Sequence, residues 1–387
     1  VMMDGTRAAV ANPDSRTQIV SSMPSGAIES VEIIKTPTAD MDADSLGGVV
    51  NLRTRSGFDR TGRSIVLNLS GNYNETMGRH LDPSGGGRTI FPQVSAGYSD
   101  VLELFGRKLG VSLTGNYQEV GDGLQTIRAD FATNWDYQGP TLPRRVVYAD
   151  QEFHRNQRAD LHSKFDYKLS ADSSLSLAAG FTRFRNVMEQ VRPQYVDNLV
   201  IDSAASREDY WVYSRVRYRS TREFRDSPAD TWRFQLSGKH APGDVKLAWD
   251  LSFSDSVRPL TRISASARSN HDFELIYDRR GSREFPTLSF RGGIPPTEDQ
   301  FDDLLLINLT GTRDRAADRI LAAKLDLTRD FAGWRLPVKF KTGVRVRQQD
   351  RTRDFDEISG ALGAGDHRMY RDFNFTHGWV DGRYPAT

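Results

Sequence analysis

Asp40, Asp42 and Asp44 stand on alternate residues, and carboxylates so spaced can supply oxygen ligands to a calcium ion. A calcium-binding EF-hand loop also needs glycine at its sixth position and glutamate at its twelfth. This chain has Ser45 and Asn51 there, so the pattern fails. The three aspartates read instead as an acidic apex, solvated or paired with arginines such as Arg345 and Arg347, and open to ligand or wall contact. Gly85-Gly86-Gly87 lacks the lysine and helix of a phosphate loop. There is no H-E-x-x-H and no G-x-S-x-G, and the histidines, among them His80, His154, His240, His271 and His377, lack ligand spacing. His162 falls on the polar face of its segment. Trp135, Tyr137, Phe153, Tyr195, Tyr210, Trp211 and Tyr213 lie in polar stretches, where rings stack on a sugar, pack loops together or form a girdle. No metal, cofactor or enzymatic activity is expected.

Composition narrows the classes further. With 387 residues the chain can hold two or three ordinary domains or one large β structure. Its 52 basic and 51 acidic residues nearly cancel, which gives no general case for nucleic-acid binding. The absence of cysteine excludes disulfides, thiolate metal sites and a cysteine nucleophile. Mean hydropathy is −0.56, and no apolar run approaches the ~20 residues of a membrane helix. A membrane β-barrel is not excluded, because only alternate residues of its strands face lipid.

The elements that must position these residues show period-two alternation. Ile65, Leu67, Leu69, Gly71 and Tyr73 alternate with Val66, Asn68, Ser70 and Asn72. Leu109, Val111, Leu113, Gly115 and Tyr117 repeat the pattern against Gly110, Ser112, Thr114 and Asn116. Both stripes end in tyrosine, so Tyr73 and Tyr117 are expected at a lipid headgroup interface. Elsewhere the opposing face is charged: Leu161, Phe165 and Tyr167 oppose His162, Lys164 and Asp166, and Val344 and Val346 oppose Arg345 and Arg347. A soluble sandwich shares this period.

Strands are expected near 63–77, 89–102, 108–119, 156–169, 174–187, 230–240, 245–255, 315–329 and 336–350. Tyr210 to Ser220 reads as extended too, either a spanning strand or a hairpin arm. Tight turns are expected at 105–108, 170–173, 241–244 and 331–335, and long polar loops at 78–88, 120–155, 188–229 and 256–313. Short turns at one end and long loops at the other are a barrel's asymmetry, which a sandwich has no reason to keep.

Residues 1–56 differ in kind. MMDGTR reads as a short strand and turn, Ser25 to Ile28 as a short helical turn, and Val31 to Ile33 as a strand that Val49 to Thr54 pairs back upon. Pro37 ends the first strand, Gly47-Gly48 permit a bulge or positive φ, and Asn51 can satisfy local backbone groups. Three motifs occur in order. They are Val1-Met2-Met3-Asp4-Gly5, then Ile28-Glu29-Ser30-Val31-Glu32-Ile33-Ile34-Lys35-Thr36-Pro37, then Gly47-Gly48-Val49-Val50-Asn51-Leu52. With these the chain resembles TonB-dependent outer-membrane receptors, although Lys35 stands for a more usual arginine and Thr36 for a more usual glycine.

The resemblance implies residues 1–56 as the second half of an α+β plug and 57–387 as the first part of an antiparallel transmembrane β-barrel. It implies TonB-driven uptake, across the outer membrane of a Gram-negative bacterium, of a siderophore, cobalamin or oligosaccharide. The partners implied are outer-membrane lipid, the ligand and periplasmic TonB, whose contact segment is expected upstream of this sequence. Family barrels have about 22 strands, so nine or ten strands should form a curved open sheet around a partial plug. Many ion pairs are expected between plug and wall. A passive porin, a barrel adhesin or a soluble carbohydrate-binding β protein are the alternatives.

Overall fold

A computed structural model describes residues 2–12, 27–35, 48–60, 62–75, 77, 89–132, 142–196, 200–293, 295, 303–331 and 338–361. The first three strands, β1 (Met2–Met3), β2 (Ile28–Ile34) and β3 (Val49–Thr54), form a small sheet in the order β1-β3-β2. β2 and β3 are antiparallel with Val31 opposite Leu52, and β1 runs parallel to β3. A single 3-10 turn, Gly57–Asp59, follows, with Ser56 accepting from Phe58 N at 3.2 Å.

The remaining chain is an antiparallel meander. Its long strands are β4 (Ser64–Tyr73), β5 (Ile90–Leu104), β6 (Arg107–Ala132), β7 (Leu142–Lys168), β8 (Ser173–Val196), then β10 (Tyr210–His240) and β11 (Val245–Arg268). A two-residue β9 (Val200–Ile201) pairs with β10; β12 (Phe273–Asp278) pairs with β10 and with β13 (Thr287–Arg291). β14 (Leu305–Phe331) and β15 (Val338–Ala361) complete the order β15-β14-β11-β10-β8-β7-β6-β5-β4. The sheet is open, and no pairing joins β4 to β15 among the described residues.

Turn chemistry explains one end of the sheet. Phe105 (φ 53°) and Gly106 (φ 72°) are both left-handed between paired Leu104 and Arg107, the conformation of a two-residue type I′ hairpin. Leu169 N donates to Ser173 O at 2.9 Å to close the next turn, and Gly243 supplies φ 60° in the third. Ala241 N to Asp172 O (2.8 Å) and Asp330 N to Asp244 O (3.0 Å) lace neighbouring turns together. The fourth expected turn, 331–335, lies largely outside the described residues, as does the 78–88 loop.

Three of the expected long loops are corrected. Most of 120–155, 188–229 and 256–313 is strand, with β10 alone running 31 residues. The apolar stripe stops while the ladder continues, because charged pairs replace apolar ones across it. Arg183 grips Asp230 through two contacts of 2.7 Å, Arg185 grips Asp226 at 2.9 and 2.7 Å, and Arg319 meets Asp255 at 2.9 Å. Such cross-strand pairs support a sheet without hydrophobic alternation. Tyr210–Ser220 is extended, as expected: its start pairs with β12, and its end continues into the long ladder with β8 and β11.

The two faces are chemically opposite. One carries exposed apolar stripes, with Ile65 72% exposed, Leu161 62% and Val346 65%. Rings of Phe181 and Trp232 stand 4.4 Å apart on it, and Trp232 stacks on Phe234. No second layer covers these stripes among the described residues. The other face is polar and receives the N-terminal sheet. Gly57 marks how closely they approach: a Cβ there would lie 2.3 Å from Val111 N and 2.7 Å from Asp100 O. Gly57→Ala is therefore expected to force the 3-10 turn off β5 and β6, costing about 1–3 kcal/mol in chemical denaturation.

The largest buried cluster lies away from the tight turns, where Tyr195, Trp211, Tyr213, Tyr218, Phe273 and Tyr277 pack with Leu304 and Leu306. Tyr195 meets Phe290 at 5.1 Å and Trp211 meets Tyr277 at 5.7 Å. These rings pack loop strands together, as does buried Phe153 with Met77 and Phe91. Trp135 and Tyr137 lie outside the described residues. On the same cap, hydrogen bonds from the Arg280 side chain and backbone hold the Asp278 carboxyl down at about 2.

Candidate functional site

The residues singled out in the sequence converge on the N-terminal sheet and its seat on the polar face. Asp4 (φ 48°) and Gly5 (φ 78°) make a tight left-handed turn, closed by Met3 N to Thr6 O at 2.9 Å. Asp4 N donates to Leu52 O (2.9 Å), while its carboxylate accepts from Thr54 N (2.9 Å) and Thr54 Oγ1 (2.5 Å). Asn51 Oδ1 accepts from Gly5 N and its Nδ2 donates to Glu32 Oε2, each at 2.9 Å. Arg53 pairs with Glu32 and Arg55 with Glu29, both at 3.2 Å. Asp4, Glu32 and Asn51 thus tie one strand of the sheet to another. Ile28 packs beside Met3 and Leu52, whereas Val31 is exposed although it stands opposite Leu52, and Lys35 is exposed just beyond the strand.

Gly48 takes φ 102°, and a Cβ there would lie 2.9 Å from Ile34 O, so close approach and backbone both require glycine. Pro37, Gly47, Asp40, Asp42 and Asp44 lie outside the described residues. Tyr73 is 70% exposed at the end of the β4 stripe, and Tyr117 is 38% exposed with its hydroxyl donating to Glu119 at 3.2 Å.

The seat is built from side chains of strands far away in sequence. Lys164 Nζ donates to Thr54 O (3.3 Å) and Oγ1 (3.1 Å) and stands 3.9 Å from Asp4 Oδ2. Ser56 Oγ donates to Asp166 Oδ2 at 2.5 Å. Arg233 Nη2 reaches Met3 O, Thr6 Oγ1 and Gln235 Oε1, and Gln235 Nε2 donates to Asp4 O (3.2 Å) and to Asp250. Extended residues Ala8 to Asn12 lie on β11, β14 and β15. Ala9 N donates to Ser254 Oγ (3.0 Å), Val10 N to Asp318 Oδ2 (2.8 Å) and Ala11 N to Ser256 Oγ (3.3 Å), while Arg351 donates to Asn12 O (2.7 Å).

The acidic apex on which plug–wall ion pairing is expected lies outside the described residues. Among the described residues an ion pair joins Lys164 and Asp4, and the remaining contacts given above are chiefly hydrogen bonds, many of them to backbone amides and carbonyls. The seam is also incompletely filled. A cavity of about 600 Å³ lies between Asp4, Glu29, Glu32 and Arg53 on one side and Lys164, Lys239, Lys324, Arg345 and Arg347 on the other. A second of about 170 Å³ lies beside Ala8 to Asn12, with buried His162 in its wall. Sequence parity put His162, Lys164 and Asp166 on this face, but nothing in Ser254, Ser256 or Asp318 distinguished them from other polar strand residues.

No protein-family model matches this chain, and no curated protein matches it.

Proposed function

We propose that this chain belongs to a TonB-dependent outer-membrane transporter, with the N-terminal sheet as part of a plug and the long strands as part of the barrel wall. The observation that carries the reading is the two-faced sheet: apolar stripes stand uncovered on one side while the polar side holds a folded N-terminal segment. A water-soluble sandwich would bury those stripes against a second sheet. The apolar band runs from Val245 to Phe253 on β11 and from Val338 to Val346 on β15, nine residues each. A tilted membrane strand needs about 9–11 residues. Tyr73 and Tyr117 then sit at the lipid interface, and Arg183, Arg185 and Arg319 begin the part beyond it.

On this reading a scarce bulky solute, a siderophore, cobalamin or an oligosaccharide, binds above the plug, and TonB force from the inner-membrane proton gradient rearranges the seat. Hydrogen bonds between seat and plug suit such a step, since water can replace each of them as the surfaces part. No covalent chemistry is involved. A passive porin would leave Asp4, Asn51 and their wall contacts without purpose. Cells expressing the full-length gene should accumulate one of these solutes only while the proton gradient stands, and a protonophore should abolish accumulation but not surface binding. Accumulation that survives the protonophore would replace this reading with the porin.

A further inference from the structure

The N-terminal segment is held to the wall unevenly. From Met3 to Thr6 it is doubly fixed, to β3 through Asp4 and to the wall through Arg233 and Gln235. From Ala8 to Asn12 its hold differs in kind. Three consecutive amides, those of Ala9, Val10 and Ala11, donate to side chains of Ser254, Asp318 and Ser256, and Arg351 binds the carbonyl of Asn12. Asp318 is kept in place by Gln349 at 2.8 Å. The segment's own side chains are small, so packing adds little to that hold. On its other flank lies the 170 Å³ cavity, where the β8 and β10 wall is small at Ala178, Gly180, Ser227, Ala229 and Thr231 and is bounded by the larger Phe184, Asn186, Arg233 and Gln235. A strap gripped along one side and free of dense packing on the other can peel without dismantling the Asp4 turn.

We propose that Ala8 to Asn12 is the movable strap of the plug, and that the passage for solute opens along the seam between it and the small-residue wall of β8 and β10. The proposal rests on the transporter reading. It requires that the strap's grip on β11 and β14, rather than the Asp4 turn, sets how readily the seam opens. Small side chains on β8 and β10 give the opening its width, so one bulky replacement there should close it again.

The full-length gene product in planar bilayers, with potassium chloride as the permeating probe, tests this. The parent should be nearly closed. Ser254→Ala combined with Ser256→Ala and Asp318→Asn should raise conductance by about tenfold or more, the consequence of weakening three hydrogen bonds. Adding Ala229→Leu to that variant should return conductance towards the parent's. If the triple variant does not insert, Ser254→Ala alone should give a smaller rise in the same direction. A weakened variant as closed as the parent would overturn the strap, and an Ala229→Leu addition without effect would overturn the seam as the passage. A parent that conducts freely would instead remove the occluded-transporter reading, and the proposal with it.

Discussion

Replacing Leu251 with arginine should destabilise the protein in lipid vesicles by about 2–4 kcal/mol, the cost of a cation on the lipid face near the bilayer midplane. Leu251 is half exposed, flanked by Leu236 on β10 and Ala323 on β14, in the middle of the apolar band. On a water-facing sheet the same change would stay within about 0.5 kcal/mol, because an exposed leucine loses little when replaced. Denaturant unfolding from vesicles separates the two cases. A change of that smaller size would remove the membrane from the account, and the transporter with it. Leu251→Phe, which keeps the surface apolar, should be close to neutral in either case and controls for shape.

Asp4→Ala should loosen the N-terminal sheet by about 2–3 kcal/mol. It removes the acceptor for Thr54 N and Oγ1 and the charge facing Lys164, and charge-assisted hydrogen bonds carry about 1.5–3 kcal/mol. Alanine at φ 48° adds backbone strain that aspartate and asparagine tolerate better. Exchange of the Gly5 and Thr54 amides should accelerate about 100-fold, with the β10–β11 ladder unaffected. Asp4→Asn keeps one acceptor oxygen and should lose less than half as much. Equal exchange rates at these amides in all three proteins would mean that the turn is held by its backbone contacts alone.

Much of this architecture was legible before any coordinates. Alternation from Ile65 to Tyr73 and from Val338 to Val346 marked strands because successive side chains of a strand point to opposite faces, so apolar residues at every second position share one face. Phe105-Gly106 and Ala241-Pro242-Gly243-Asp244 marked turns through residues suited to them. Beyond the apolar band the sequence gives no such signal. Asp226 falls in an expected loop, just past the expected end of the 174–187 strand, until register brings it within reach of Arg185 on the next strand. The β12–β13 hairpin was missed for a related reason, since Phe273, Leu275 and Tyr277 bury their side chains in a cap that has no counterpart in a repeating pattern. The seat was invisible for another cause: Ala9 and Ser254 are 245 residues apart, and an amide's partner leaves no trace in its own side chain.

The overrun of the strands past the apolar band has a mechanical consequence. From Arg219 to Asp230, where β8 and β11 flank it, β10 spans roughly 40 Å of contour at about 3.3 Å per residue. On the transporter reading a tilt near 40° leaves about 30 Å of height above the bilayer. Laddered on both sides, such a mast is stiff, so on the transporter reading the β12–β13 cap meets its cargo at a fixed stand-off from the cell surface. An antibody raised against Phe285, which projects from that cap, should then bind intact bacteria without first crossing their coat of surface sugars.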